Sequence, residues 1–164
     1  MTKTNFDLSA QFRHDLLEAY NNDKCAPVAL KQWQAYDHAV KSKAKRYYVT
    51  PKQAFQVLAP LIKGDFTAFN KRTNNDRKRM YISLLETTLK LIDKRQFKGK
   101  SLFYIMHFAV LQPAPEFFCN WRTLQKIHQF HLEGRFEQSN EKFYGPYDPN
   151  IKPKKRFNFT NARV

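Results

Sequence analysis

Glycine, cysteine and acidic residues are all scarce in this chain of 164 residues, and each shortage excludes a class of protein. Four glycines are too few for a turn-rich β architecture, and two cysteines, Cys25 and Cys119, allow one disulfide bridge at most. No apolar run approaches the ~20 residues of a membrane-spanning helix, and the N-terminus lacks the apolar core of a signal peptide. We therefore expect no disulfide scaffold and no membrane protein, with the cytoplasm as the default setting.

Catalytic and metal-binding motifs are also missing. Gly99-Lys100-Ser101 is not a phosphate-binding loop, because that motif needs a glycine where the chain has Lys94. His128 and His131 share a helix face, but the chain has no Cys-x2-Cys pair to join them and packed histidines are the better interpretation. The 14 acidic residues form no pattern typical of metal-dependent nucleases. We predict a non-enzymatic protein with no metal and no other cofactor; an enzyme without a recognisable motif ranks third.

Positive charge and aromatic rings are what the chain has in excess. Its formal net charge is +15, and it contains 15 Phe and 8 Tyr, enough to build a core and too many for a disordered polycation. The charge is clustered, with +5 in residues 41–52 and +4 in each of 63–79, 90–100 and 135–164. Such blocks predict a surface that faces a polyanion, and the competing interpretation is an ordinary solvated face.

Helical periodicity extends over most of the chain. Apolar residues at spacings of three and four predict helices over about 5–21, 27–46, 51–63, 76–95 and 116–133, and a short helix fits within 65–75. Thr50-Pro51-Lys52-Gln53 has the residues of a capping box, and Pro60 predicts a kink or an early helix end. No internal repeat is visible in the sequence.

The apolar run 102–111 fits a buried helix or a central strand equally well by periodicity. Because no second strand is available to satisfy its backbone hydrogen bonds, we expect the central buried helix. Phe108 should then lie in the core, together with Leu84 and Trp121. The fold prediction is a single all-α domain, a compact bundle of five or six helices over residues 1–135, followed by an extended C-terminal arm over 136–164.

The arm interleaves basic and aromatic residues and lacks helical periodicity. A solubilising tail has no need of aromatic rings, so we expect the arm to pack either back on the domain or into a partner. The residues predicted to dock are Tyr144, Tyr147, Phe157 and Phe159.

The leading functional prediction is non-enzymatic, sequence-independent binding of nucleic-acid backbone by an accessory or packaging protein. The residues predicted to contact phosphate are Lys41, Lys43, Lys45, Arg46, Lys71, Arg72, Arg77, Lys78, Arg79, Lys154, Lys155 and Arg156. The alternative is a structural subunit of a large nucleic-acid-containing assembly, such as a virion neck, a connector or a ribonucleoprotein, docked on protein neighbours through the arm. Either protein belongs in the cytoplasm or inside such a particle.

Overall fold

A computed structural model describes residues 3–23 and 31–134, with side chains from residue 8 onward. Within these residues it contains helices and no strand, which confirms the all-α prediction. The helices are α1 (Lys3–Asn21), α2 (Gln32–Val40), α3 (Pro51–Ile62), α4 (Thr67–Asn70), α5 (Asn75–Ile92), α6 (Leu102–Ala109) and α7 (Trp121–Leu132). None of these seven helices is both long and apolar enough to cross a bilayer. The predicted arm lies outside the described residues.

Two similar units, each a helix, an extended connector and a second helix, make up most of the fold. The first unit contains α2, connector 41–50 and α3, and the second contains α6, connector 111–120 and α7. The connectors meet antiparallel, and Ala44 and Ala114 exchange two backbone hydrogen bonds of 2.9 and 3.0 Å. On one side the Tyr47 N–H donates to the Val110 carbonyl, and on the other the Phe117 N–H donates to the Val40 carbonyl, both at 2.9 Å. This set of bonds has a pseudo-two-fold axis between the two alanines.

Helix packing follows the same pseudo-symmetry. The first helix of each unit packs against the second helix of the other, α2 on α7 and α6 on α3. In the same way α1 packs on α2 and α7, while α5 packs on α6 and α3. The expectation of no internal repeat is therefore wrong for the structure. The repeat is weak in sequence because only the buried positions, such as Ala39 and Ala109 at 0% exposure, must remain alike.

The connectors overturn two predicted helix boundaries. The second helix ends at Val40 and does not run to 46, and the last helix begins at Trp121 and not near 116. Ala44 and Tyr47 fitted the apolar stripe of a longer helix, but they are buried from an extended backbone that pairs with the other connector. Their spacing of three fits a helix, and their burial in the connector comes from the pairing with the other connector, which periodicity does not detect.

Local signals for α3 are confirmed. The Thr50 hydroxyl accepts from the Gln53 N–H at 3.2 Å, and the Gln53 side-chain oxygen accepts from the Thr50 N–H at 3.5 Å. Pro60 lies inside the helix, in its last turn, and the helix continues past it to Ile62. The chain then leaves the helix through Gly64 at φ 85°, while the Asp65 N–H donates to the Pro60 carbonyl at 2.9 Å.

The run 102–111 forms a helix as predicted, but the prediction that this helix is buried at the centre of the fold is wrong. α6 buries Ile105, Met106 and Ala109. Within the described residues it packs on α3 and α5. Four large apolar residues of α6 and the start of the connector after it are exposed, and we call them the α6 face: Phe103, Tyr104, Phe108 and Leu111.

The three residues predicted to lie in the core differ in their burial. Leu84 is fully buried, which confirms its assignment. Phe108 is 40% exposed, so its assignment is wrong. Trp121 is partly buried and packs on Trp33, with 6.2 Å between ring centroids.

Candidate functional site

A cavity of about 510 Å³ opens where the two connectors meet. Matched positions of both connectors, 46–48 and 116–118, form part of its wall. The rest of the wall comes from α1 and α5, from Gln53 in the first turn of α3, and from α7, where the lining begins at Thr123. The volume falls within the ~300–1,000 Å³ typical of ligand sites. We call it the inter-unit cavity.

Aromatic rings form much of the cavity wall. Tyr47 stacks on Phe118, with centroids 6.2 Å apart and planes 16° apart, and Tyr48 stacks on Phe117 at 6.0 Å and 12°. The pseudo-two-fold axis relates these pairs, and Phe12 of α1 packs edge-on against Tyr48 at 5.1 Å. Phe118 has φ 52°, an uncommon conformation for a bulky residue and one that tends to occur at functional sites.

Cationic side chains outnumber acids on the same wall. Arg13, Arg46, Arg77 and Lys126 line the cavity, against Glu116 among the acidic residues. The Glu116 carboxylate accepts from the Arg79 guanidinium at 2.7 Å, so a residue outside the lining neutralises it. The cavity therefore has an excess of positive charge.

Arg46 is the half-buried cation of the first connector. Its Nε donates to the Tyr47 carbonyl at 3.1 Å, and no carboxylate in the described part of the chain forms an ion pair with its guanidinium. Burial lowers the pKa of Arg46, and Tyr48 and Asp15 oppose that shift. Because an arginine stays protonated under all ordinary conditions, Arg46 gives the wall a permanent positive charge.

A second basic element continues from the cavity wall. The Arg77 guanidinium lies 5.6 Å from the centroid of the Tyr81 ring, and the Arg72 guanidinium lies 5.1 Å from the same ring. Lys78 covers Phe69 at 5.2 Å in the same region. Since Arg77 also lines the cavity, we call Arg46, Arg77 and Arg72 the basic track.

Other predicted phosphate contacts are exposed or paired with carboxylates. Lys41 pairs with Asp37 at 2.8 Å, and Lys45 pairs with Glu18 at 3.2 Å, which raises the pKa of the Lys45 ammonium. Lys43 and Lys71 are exposed. The predicted contacts Lys154, Lys155 and Arg156 and the docking residues Tyr144, Tyr147, Phe157 and Phe159 lie outside the described residues.

Ionisable groups beside the cavity are already engaged. Asp15 is buried and accepts from the Tyr48 hydroxyl at 2.6 Å, so burial first and Asp15 second raise the pKa of Tyr48. His14, Asp15 and Glu18 lie close enough to hold one cation, but the Lys45 ammonium lies 3.2 Å from Glu18 and 3.8 Å from Asp15. The cluster is thus part of an ion-pair network.

The histidine and cysteine of the second unit are packed side chains. The His128 ring hydrogen-bonds the Tyr36 hydroxyl at 2.8 Å and packs on Tyr20 at 4.7 Å, in agreement with the packed-histidine interpretation. Burial, aided by His131, lowers the pKa of His128. Burial also raises the pKa of the Cys119 thiol to about 12, so that thiol is protonated near neutral pH.

Sequence reasoning missed Phe12, Arg13, Phe118 and Lys126. They are isolated residues of their helices or connector, and a search for charged blocks does not find them. One signal was present: Ala-Val, three residues, Ala, two residues and two aromatic residues occur at 39–48 and again at 109–118. That pattern predicts two matched connectors.

Comparison of the chain with protein-family models, with curated proteins and with solved structures finds no match. The candidate site is therefore argued from its own geometry and charge.

Proposed function

We propose that this protein binds nucleic-acid backbone without catalysing a reaction, as an accessory or packaging protein. The observation that carries the proposal is the half-buried Arg46, which lines a cavity and has no carboxylate ion-paired to it among the described residues. A phosphate oxygen is a natural counter-ion for such a guanidinium.

The basic track extends this site beyond a single charge. Arg77 lines the same cavity, and Arg72 shares the Tyr81 ring with it, so successive phosphates of one strand can follow the three arginines. The net charge of +15 would attract a polyanion from a distance and let it bind without regard to base sequence. We place such a protein in the cytoplasm or inside a nucleic-acid-containing particle.

The non-enzymatic part of the proposal rests on what the candidate groups do in the fold. The protonated Cys119 thiol is a poor nucleophile, and the His128 ring is held by Tyr36. The carboxylates of Asp15 and Glu18 are paired with Lys45. None of these groups is arranged as a nucleophile with a neighbouring general base.

The test is the salt dependence of binding to an oligonucleotide, measured by fluorescence anisotropy. The double variant Arg46→Gln with Arg77→Gln removes two predicted phosphate contacts. Its log–log salt slope should therefore be flatter by about 1.4–1.8, given ~0.7–0.9 per contact. The matched control is Lys41→Gln with Lys45→Gln, which removes the same charge from two lysines already paired with carboxylates.

The control should keep a slope close to that of the unmodified protein. If both double variants lose the same slope, the basic track has no special role and the charge acts as a diffuse field. Absence of salt-sensitive binding by the unmodified protein at low salt overturns the proposal altogether.

A structural subunit of a larger assembly is the second candidate, and the α6 face favours it. Phe103 and Tyr104 are 44% exposed and Leu111 is 57% exposed, an unusual concentration of large apolar side chains on α6 and at the start of its connector. The occupant we propose is another copy of this chain, bound to the same nucleic acid. The net charge of +15 would keep free copies apart, and a polyanion would remove that repulsion.

Sedimentation velocity separates the two candidates. An assembly subunit should form particles larger than one-to-one complexes on a long oligonucleotide. The variant Phe103→Ser with Leu111→Ser should abolish those particles and retain one-to-one binding. Persistence of large particles in that variant, or their absence from the unmodified protein, excludes the α6 face as the assembly surface.

A further inference from the structure

We propose that the inter-unit cavity receives one unpaired nucleotide, with its base against the cavity rings and its phosphate on Arg46, so that the protein prefers single-stranded nucleic acid. This inference rests on the proposed function and specifies its ligand. The juxtaposition that carries it is a ligand-sized cavity in which aromatic rings and arginines share one wall.

Charge distribution argues against a duplex as the ligand. A protein with two-fold symmetry reads a duplex with matched elements on two half-sites, so equivalent positions would need equivalent charge. Here the first connector has Lys41, Lys43, Lys45 and Arg46, whereas the second has no cation and has Glu116 at the position equivalent to Arg46. The fold is nearly symmetric, but the two connectors differ in charge. An asymmetric path fits a single strand, which needs no second half-site.

The shape of the site also favours an unpaired strand. Of the rings that line the cavity, those of Phe12, Tyr48 and Phe118 are partly exposed, and those of Tyr47 and Phe117 are buried. Bases of a duplex are stacked inside the helix and reach such a recess only after they are extruded, which costs a few kcal/mol. An unpaired base enters without that cost and gains contact with the rings, while its phosphate reaches the guanidinium at the rim.

The base and the phosphate contributions can be separated with three ligands on the full chain. The ligands are a labelled oligothymidylate of about 16 nucleotides, an abasic strand of the same length, and a duplex of the same length. The abasic strand keeps every phosphate and lacks every base. We expect the oligothymidylate to bind at least about tenfold more tightly than either of the others, because base stacking on a ring contributes roughly 5- to 150-fold per base.

A ring variant locates the effect. Phe12→Leu keeps an apolar side chain and removes the ring, so affinity for the oligothymidylate should fall about tenfold, with no change for the abasic strand. Phe103→Leu removes an exposed ring of the α6 face, outside the cavity, and should leave all three affinities unchanged. Thermal melting checks that both variants fold. If Phe12→Leu does not fold, competition of thymidine 5′-monophosphate against inorganic phosphate for the unmodified protein replaces it, with the nucleotide expected to compete better.

The outcomes distinguish this inference from the proposed function. Salt-sensitive binding in which abasic strand, duplex and oligothymidylate are equal would retain backbone binding and overturn the base-receiving cavity. Equal loss in Phe12→Leu and Phe103→Leu would overturn it as well, and so would equal competition by nucleotide and phosphate. Failure of all three ligands to bind in a salt-sensitive way would instead overturn the proposed function.

Discussion

The hydrogen bond between Tyr48 and Asp15 joins the first connector to α1, and its removal should cost a measurable share of the stability. The hydroxyl donates to the carboxylate at 2.6 Å, and Asp15 is only 6% exposed. Tyr48→Phe removes the donor and keeps the ring, which leaves a buried carboxylate oxygen without that partner. A hydrogen bond to a charged group contributes about 1.5–3 kcal/mol, so the free energy of unfolding should fall by that amount.

Lys45 compensates for little of this loss. Its ammonium lies 3.8 Å from the other Asp15 oxygen, but the lysine is largely exposed and water screens its charge. Urea unfolding of Tyr48→Phe, Asp15→Leu and the double variant tests the pair. Because Asp15→Leu also removes the buried acceptor, the double variant should cost about 1.5–3 kcal/mol less than the sum of the single variants. Lys45→Gln is the control, because it removes only the exposed ion pair and should change the free energy of unfolding little. Additivity within about 0.5 kcal/mol would refute the reasoning.

The burial of Tyr48 and its hydrogen bond to Asp15 together predict a loss of stability in alkali. The raised pKa of Tyr48 means that the folded protein holds the phenolic proton more tightly than the unfolded chain, whose tyrosines titrate near 10.0. This contribution is therefore complete below pH 10 and is lost as the pH rises above it. Tyr48→Phe should flatten the fall in stability above pH 10. Part of the fall should remain, because burial also raises the pKa of Tyr36.

Three further predictions concern the core, the helix caps and acid. Leu84→Ala should cost about 2–5 kcal/mol of unfolding free energy as a cavity-forming change, whereas Phe108→Ala, at a 40% exposed site, should cost clearly less in the same urea titration. Thr50→Ala and Asn120→Ala should each cost about 0.5–2 kcal/mol, because each residue caps the second helix of its unit, and a markedly unequal cost in thermal melting would contradict that equivalence. The lowered pKa of His128 predicts stability that is complete above pH 6.5 and declines as the pH falls below it; His128→Gln should remove that part of the decline, measured by melting across pH 5–7.

Local signals were enough to predict most helices but not the connectors. The capping box at Thr50 and the terminator Gly64 act within a few residues, so the sequence contains all that they require. The last residue of α2 and the first residue of α7 depend instead on a backbone pairing between Ala44 and Ala114, which are 70 residues apart. No local propensity encodes that contact, and the helical spacing that includes Tyr47 continues past Val40, where the helix ends.

The candidate site was predictable only in part for the same reason. Charge clustering identified Arg46 and Arg77. It did not show that Arg46 lines a cavity while its neighbour Lys45 pairs with Glu18. Composition counts charges and does not tell whether each is neutralised. The apolar run of α6 misled in a similar way, because full burial of Phe108 would need a neighbouring element that the described residues do not contain on that side.

The two units separate what the fold requires from what it leaves open. Positions 44 and 114, and positions 47 and 117, are buried in both units and remain small and aromatic respectively, because the pseudo-two-fold contact depends on them. Exposed positions carry no such requirement, and there the units differ. The positions of Lys41 and Lys45 in the first unit are occupied by Leu111 and Pro115 in the second. Since the same backbone accepts lysine in one unit and leucine or proline in the other, the charge of the first connector is not needed for folding. It is therefore the feature of this chain that a function must explain, and the cavity beside it is where that explanation can be tested.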